Sequence, residues 1–195
     1  MRSVFVIFIL VFGVFLAPDV RAQDSAKTQS NWAVDKSTSS IAFSGEQTGE
    51  KFTGSFANFD VQITFSPDDL AGAKIVAVID LASVDAGDKD RNGALPGKEW
   101  FFVKKFPKAR FEATGFKHLG GNAYETTGQL TIRGVDKTIT LPFTLDIEGG
   151  QAAMQGQISL NRRDYNIGTG MWKNEDWVKH NVNVQVVINA KALLD

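Results

Sequence analysis

The 195-residue chain has no cysteine, which excludes disulfide bonds, a thiol nucleophile, cysteine-ligated zinc and iron–sulfur clusters. It has only two histidines, His118 and His180, which lie far apart and are more typical of surface residues than of a metal site or a catalytic triad. Its formal net charge is −1, so it lacks the basic excess of a nucleic-acid-binding protein. Nucleotide-binding glycine motifs are also missing. These absences leave few candidates for a catalytic centre.

The one long apolar run lies at the N-terminus. A short basic start precedes apolar residues 4–16, and Val20 and Ala22 then occupy the −3 and −1 positions of a cleavage site before Gln23. This pattern is typical of a secretory signal peptide, and the run is shorter than the roughly 20 residues that span a bilayer. We expect a signal peptide over residues 1–22 and a polar tether over residues 23–30. The signal peptide predicts export, and an exported chain without disulfides suits a bacterial periplasm or exterior better than a eukaryotic exterior. We expect the mature protein in the periplasm.

The remaining residues, 31–195, form one predicted domain in which apolar and polar residues alternate with period two. Turn signals such as Gly120-Gly121-Asn122 separate the alternating segments, and connections this short favour antiparallel strands. Eight or more such strands predict a closed β-barrel or a β-sandwich. The clearest alternation covers residues 39–43, 52–56, 59–65, 75–81, 111–115, 124–132, 139–147, 154–160 and 182–190.

Aromatic residues cluster in a stretch without alternation. Residues 95–106 are rich in aromatics and lysines and end at Pro107, which predicts one short helix over residues 97–103. Trp172 and Trp177 form a second aromatic group. Such residues either plug a core or line a cavity for an apolar ligand.

One string resembles a calcium-binding loop. Asp88, Asp90, Asn92 and Glu99 match the D-x-[DN]-x-[DN]-G-x₅-E pattern, which would supply oxygen ligands. However, a predicted strand precedes it, Pro96 lies where the exiting helix should begin, and basic residues offset its charge. We therefore favour a charged surface loop over a calcium site.

Several segments together carry a recognisable set of motifs. They are residues 32–43, with the pattern aromatic-x-hydrophobic-D-x-x-x-S-x-I-x-F; residues 52–56; residues 80–84 with Asp90-Arg91-Asn92, Leu95, Trp100-Phe101, Phe106-Pro107 and Phe111; residues 128–137, with the pattern G-x-L-T-hydrophobic-x-G-V-x-K; and Arg162, Asp164-Tyr165, Ile167-Gly168 and Trp172. These motifs resemble the YceI family of exported, polyisoprenoid-binding, lipocalin-like proteins, and the resemblance covers about residues 31–192. The sequence departs from the family pattern in two respects: Phe102 replaces an acidic residue, and residues 44–49 lack a histidine.

The resemblance implies an all-β, closed, eight-stranded antiparallel barrel with one short helix and an isoprenoid chain in its interior. Arg91 and Arg162 are expected at the barrel mouth or as braces, unless they form ion pairs with Asp90 or Asp164. Either face of each strand could point inward. The candidate lipid contacts are Phe52, Phe56, Phe59, Ile79, Trp100, Phe101, Phe111, Leu141, Phe143 and Trp172.

The sequence thus predicts a periplasmic carrier, not an enzyme, for an isoprenoid lipid of quinone or polyprenyl type. The bound lipid or quinone is the only cofactor-like group expected. A membrane lipid or quinone enzyme could receive the cargo, and a homodimer is compatible with the sequence. Two alternatives stay open, an enzyme that acts on a bound lipid and a solid-core barrel that acts through its surface.

Overall fold

The computed structural model describes residues 29–193, so the predicted signal peptide and nearly all of the predicted tether lie outside the described residues. Within this range the chain forms eleven β-strands, one α-helix and three single-turn 3-10 helices. The strands are β1 (Ser30–Val34), β2 (Ser40–Gln47), β3 (Glu50–Phe56), β4 (Phe59–Phe65), β5 (Lys74–Asp80), β6 (Val84–Asp85), β7 (Lys108–Gly120), β8 (Ala123–Ile132), β9 (Val135–Glu148), β10 (Gln151–Asn161) and β11 (Asn181–Ala192); the helix is α1 (Lys89–Ala94); the 3-10 helices are Leu81–Ser83, Arg162–Tyr165 and Gly170–Lys173.

Eight strands form a closed antiparallel ring. Their order is β1-β4-β5-β7-β8-β9-β10-β11, and β11 closes the ring by pairing with β1, with Trp32 opposite Ala192. Closure satisfies the backbone groups that an open sheet would leave unpaired at its two edges. The predicted closed eight-stranded barrel is therefore confirmed.

The wall branches at β11. The C-terminal part of β11 pairs with β1, whereas residues 183–187 pair with β2, which continues into β3 and β6. The β2–β3 turn contains Thr48 and Gly49, both at positive φ. A bridge between Gln47 and Val178 joins this branch to the loop between β10 and β11. The branch and the loop extend the wall beyond the ring, and they enclose the larger of the two cavities described below.

Period-two alternation determines the inward face of each strand. On β11, Val184, Val186 and Ile188 line the interior while the residues between them point outward. Glycines on the same face leave room for aromatic rings. A Cβ atom at Gly128 would lie 2.5 Å from the Phe111 ring, and one at Gly54 would overlap the Phe43 ring. These glycines therefore permit close ring packing, as expected for glycines inside strands.

The prediction of a helix over residues 97–103 is wrong. The helix is α1, which begins after Asp88, whose carboxylate accepts hydrogen bonds from the backbone N–H groups of Asp90 and Arg91. Residues 97–105 form successive turns, with Phe102 at positive φ. The helix therefore begins where the Asp88 carboxylate caps it, and not in the aromatic cluster that follows. No helix between residues 29 and 193 has the length and apolar character needed to cross a bilayer.

Candidate ligand-binding cavity

Two cavities lie inside the barrel. The outer cavity, of about 660 Å³, is bounded by β2, β3, α1, the turns after α1 and the loop between β10 and β11. The inner cavity, of about 170 Å³, lies within the eight-stranded ring. Small-molecule sites typically occupy about 300–1,000 Å³, so the outer cavity has the size of such a site and the inner cavity adjoins it. Five side chains border both and form the boundary between them: Ile41, Ile79, Leu130, Leu160 and Val184.

The inner cavity is lined almost entirely by aliphatic and aromatic side chains. Its two polar side-chain groups already have partners. The Thr126 hydroxyl donates to the Gly115 carbonyl at 2.9 Å, and the Trp32 indole N–H donates to the Phe65 carbonyl at 2.9 Å. A polar group placed here would lose its water without gaining a hydrogen bond. The inner cavity therefore suits hydrocarbon.

Aromatic rings form much of the outer cavity wall. Phe56 contacts Phe43 on one side and Phe101 on the other, at ring-centroid distances of 5.5 and 5.9 Å. The ring centroids of Trp100 and Trp172 lie 5.5 Å apart, and the Trp172 indole N–H donates to the Glu99 carboxylate at 2.8 Å. Tilted ring–ring contacts of this kind stabilise the packing of aromatic side chains. They give the cavity a continuous apolar wall.

Polar residues surround the outer cavity where it meets solvent. We call Gln47, Thr48, Glu50, Asp88, Asp90 and Arg91 the rim. The Arg91 guanidinium lies over the Phe52 ring, 4.9 Å from its centroid, and its Nε donates to the Ala86 carbonyl. Three rim residues are carboxylates and one is an arginine. The rim is therefore net negative.

Arg162 is buried in the outer cavity wall, with 3% of its surface exposed. Its hydrogen bonds go to backbone carbonyl oxygens and not to the Asp164 carboxylate. Burial lowers the pKa of the Arg162 guanidinium, with a smaller lowering from Arg163, but arginine stays protonated in proteins. Arg162 thus acts as a brace for the loop between β10 and β11. The carbonyl acceptors are those of Ile167, Gly168, Trp172, Asn174, Val178 and Lys179.

The structure brings nine of the ten candidate lipid contacts to the cavities. Phe59 is the exception, because it packs in a buried cluster with Ile79 and Leu81 and lines neither cavity. Ile79 borders both cavities. Whether these side chains contact a lipid stays a prediction. Phe52, Phe56, Trp100, Phe101 and Trp172 line the outer cavity, and Phe111, Leu141 and Phe143 line the inner one.

Sequence reasoning missed several wall residues, of which Phe43 and Tyr165 are the most informative. Phe43 lies in an alternating segment and inside the first family motif, so that signal was available. Tyr165 lies in a 3-10 helix within the β10–β11 connection and is 2% exposed. No periodicity marks an inward-facing residue in such a connection.

Three of the four side chains of the calcium-like string, those of Asp88, Asn92 and Glu99, have protein partners. Asp88 caps α1, the Asn92 side chain joins the Ala86 backbone N–H to the Asp85 carboxylate, and Glu99 accepts from Trp172. Between residues 29 and 193 no group of three or more histidine or acidic side chains is arranged to hold a metal ion. The string is thus a folded, hydrogen-bonded loop. Whether it binds calcium is tested by measuring the melting temperature with and without calcium.

The sequence of the chain matches the YceI-like domain family over residues 32–190. It is 36% identical over 124 residues to a UPF0312 protein of Yersinia pestis (strain Pestoides F), a match that spans 60% of this chain and 64% of that relative's length. The matched region therefore covers less than two thirds of the relative.

Solved structures share the fold. Burkholderia cenocepacia BcnA is 34% identical with a TM-score of 0.79, over 82% of this chain and 100% of BcnA. The Campylobacter jejuni YCEI protein is 25% identical with a TM-score of 0.58, over 70% of this chain and 83% of that one. A polyisoprenoid binding domain from Saccharophagus degradans has a TM-score of 0.64 over 83% of this chain and 98% of that one, and at 18% identity it shows similarity of fold alone.

Proposed function

The chain belongs to the YceI-like domain family, and from this premise we propose that it binds a long-chain isoprenoid lipid and carries it through the periplasm. The observation that carries the proposal is the pair of adjoining apolar cavities, one within the ring and one bounded by a polar rim. The fold shared with a polyisoprenoid binding domain from Saccharophagus degradans supports the same ligand class.

The physical reason for such a carrier is the cost of exposing a prenyl chain to water. Each CH₂ group moved from water into an apolar site contributes about 0.8 kcal/mol. A lipid with many isoprene units therefore crosses an aqueous compartment only when its chain is covered. The inner cavity covers hydrocarbon without requiring a polar partner, and the outer cavity adds aromatic walls around the part nearer the rim.

The cavities count against the solid-core alternative, which predicts an interior filled by the protein's own side chains. The enzyme alternative predicts a polar, titratable cluster in the interior. Asp88, Arg162 and Tyr165 are the cavity-lining groups with shifted pKa values in the described part of the chain, and Asp88 lies at the rim, where its carboxylate caps α1. Arg162 is bound to backbone carbonyls, and Tyr165 keeps its proton, so neither serves as a base or nucleophile at neutral pH.

Export is the second element of the proposal and rests on residues 1–22. The test is cell fractionation followed by N-terminal sequencing of the mature protein. A periplasmic chain that begins at Gln23 supports the carrier role, whereas a full-length chain retained in the cytoplasm contradicts it. Delivery to a membrane lipid enzyme or a quinone enzyme, and dimer formation, stay predictions.

Ligand binding is tested by extracting the purified, exported protein with organic solvent and identifying the released lipid by mass spectrometry. We expect a prenyl lipid in stoichiometric amount. Phe143→Arg places a charge in the inner cavity and should abolish retention, while Thr144→Arg, on the exposed face of the same strand, should not. Circular dichroism checks that both variants fold. Absence of lipid in wild-type protein, even after incubation with prenylated quinones, would contradict the proposal.

A further inference from the structure

The wall of the ring has a gap between β9 and β10. The two strands pair over six residues each, and in the described part of the chain their last pair is Gly156 opposite Phe143. Beyond this pair, β9 continues along β8 and β10 continues along β11. Residues 135–142 of β9 and residues 157–161 of β10 therefore lie on the two sides of the gap without a shared ladder.

The position of Pro142 explains where the ladder ends. The backbone N–H of Leu145 donates to the Asn122 carbonyl, on the β8 side of β9. Backbone groups alternate between the two sides of a strand, so those of Pro142 are directed at β10, and its carbonyl oxygen lies 3.2 Å from the position that a Cβ atom of Gly156 would take. Proline has no N–H to donate to the carbonyl of the next residue of β10, Gln157. The ladder therefore stops at this proline.

The gap lies beside the inner cavity. Ile139 and Leu141 on one edge, and Ile158 and Leu160 on the other, all line that cavity. The strand β7 also continues past its pairing with β5, but its residues 113–120 line neither cavity. Because the gap between β9 and β10 has inner-cavity residues on both edges, separating these edges would widen the cavity.

Apolar packing holds the two edges of the gap together. The side-chain hydrogen bonds of β9 in this region go to β8, as between Thr140 and Thr127. Ile139 of β9 and Leu160 of β10 both pack against the buried cluster that contains Ile167. The hydrocarbon of a ligand can replace apolar contacts of this kind, whereas parting a complete ladder would break hydrogen bonds. The gap is therefore a place where the wall can yield to an apolar ligand.

The volume of the inner cavity shows why the wall would need to yield. A protein cavity of about 150 Å³ holds one benzene molecule, and an isoprene unit is of similar size. The inner cavity, of about 170 Å³, therefore has room for little more than one isoprene unit. A prenyl chain that extends further into the ring needs additional space.

We propose that the ring parts between β9 and β10 when a long prenyl chain occupies the inner cavity, and that Pro142 thereby determines how long a chain the protein accepts. This inference rests on the proposed lipid-binding function and deepens it. Pro142 is exposed on the outer face of β9. It acts on the ligand through the strand ladder, as a positioning residue and not as a ligand contact.

Pro142→Val tests the role of the missing N–H. Valine favours strands and supplies an N–H for the Gln157 carbonyl, so the ladder should lengthen and hold the gap closed. Prenyl alcohols of increasing length are titrated into delipidated protein. Short chains should bind as they bind wild type, and the longest should bind at least about tenfold more weakly, the effect of keeping two methylene groups out of the cavity. Thr144→Val is the matched control, because it places valine on the same face of β9 where the ladder is complete. It should leave the whole series unchanged.

A cross-link across the gap tests the parting itself. The chain has no cysteine, so Thr140→Cys combined with Ser159→Cys provides two thiols on the outer faces of the two edges. A short bismaleimide joins them, and mass spectrometry confirms the product. Compared with the same variant before cross-linking, the product should bind short chains normally and long chains at least about tenfold more weakly. Thr144→Cys combined with Gln155→Cys, cross-linked across the existing ladder, should bind every chain as before.

The chain-length dependence decides the outcome. Long chains that bind equally well before and after cross-linking of the gap would overturn the inference, and so would equal weakening of short and long chains. A Pro142→Val variant that binds every chain as wild type does would overturn the role of Pro142. These results leave the proposed function standing, whereas failure of the unmodified protein to bind a prenyl chain of any length would overturn both.

Discussion

Blocking the boundary between the two cavities should set the longest prenyl chain that the protein binds tightly. Val184 borders both cavities and lies on β11 between Phe43 of β2 and Ile158 of β10. Val184→Phe puts a ring at this boundary and closes the inner cavity to the end of the chain. At about 24 cal/mol per Å³ of unfilled cavity, filling the inner cavity of about 170 Å³ contributes about 4 kcal/mol. This energy corresponds to about a thousandfold in affinity.

The assay is a series of prenylated quinones of increasing chain length, titrated into delipidated protein and followed by tryptophan fluorescence. For wild-type protein the Kd should fall with each isoprene unit until the inner cavity is filled. For Val184→Phe it should level off earlier, with short chains bound normally and the longest chains weakened by up to about a thousandfold.

Val187→Phe is the matched control for this series. Val187 lies on the same strand but between the exposed residues Ser40 and Gln155, so its side chain is on the outer face. It should leave the whole chain-length series unchanged. If Val184→Phe weakened short and long chains by the same factor while remaining folded, the tail would not occupy the inner cavity and the reasoning would fail.

Three further predictions concern stability. Arg162→Lys keeps the charge but leaves several buried carbonyls unpaired, so the free energy of unfolding should fall by at least about 3 kcal/mol in chemical denaturation; an unchanged midpoint would refute the bracing role. Gly54→Ala should lower it by about 1–3 kcal/mol because the added methyl group lacks room, while Gly115→Ala, which meets open space, should change it by less than about 0.5 kcal/mol. The pKa of Asp88 lies below 3.8 chiefly through the Arg91 backbone N–H; its stabilising effect is therefore present above that pH and lost as the pH falls through the lower, folded-state value. Asp88→Ala should accordingly lower the melting temperature more at pH 7 than at pH 2. A calcium-dependent rise in the melting temperature of wild-type protein that the variant lacks would revive the calcium hypothesis.

Most strands could be predicted because one face of each strand is buried in the barrel and the other is exposed to water. Apolar side chains therefore occur at every second residue, as on β9, where Leu141 and Phe143 alternate with exposed neighbours. Two strands were missed. The five residues of β1 contain one buried side chain, Trp32, and the two residues of β6, Val84 and Asp85, are too few to show a period.

The site was harder to predict because its residues come together only in the closed barrel. Trp100 was recognised as a candidate from its aromatic neighbours, but its packing against the cluster containing Tyr165 depends on where the β10–β11 connection folds. The misplaced helix has a similar cause. Composition made residues 97–103 look helical, whereas one carboxylate at Asp88, through hydrogen bonds invisible in the sequence pattern, started the helix earlier.

If the chain binds a prenyl lipid as proposed, the two cavities should also determine which end of the lipid enters first. A head group that went in first would bring its oxygens into the inner cavity, where the hydroxyl of Thr126 is already donated to a backbone carbonyl. Burying an unpaired polar group costs about 2–7 kcal/mol. Entry with the tail first avoids this cost, because hydrocarbon then fills the inner cavity and the head group stays in the outer cavity, near the polar rim. A quinone bound by this protein should therefore keep its ring in the outer cavity, where quenching of Trp100 and Trp172 fluorescence by the ring reports its position; a ring that quenched only Trp32, which lines the inner cavity, would show the opposite orientation.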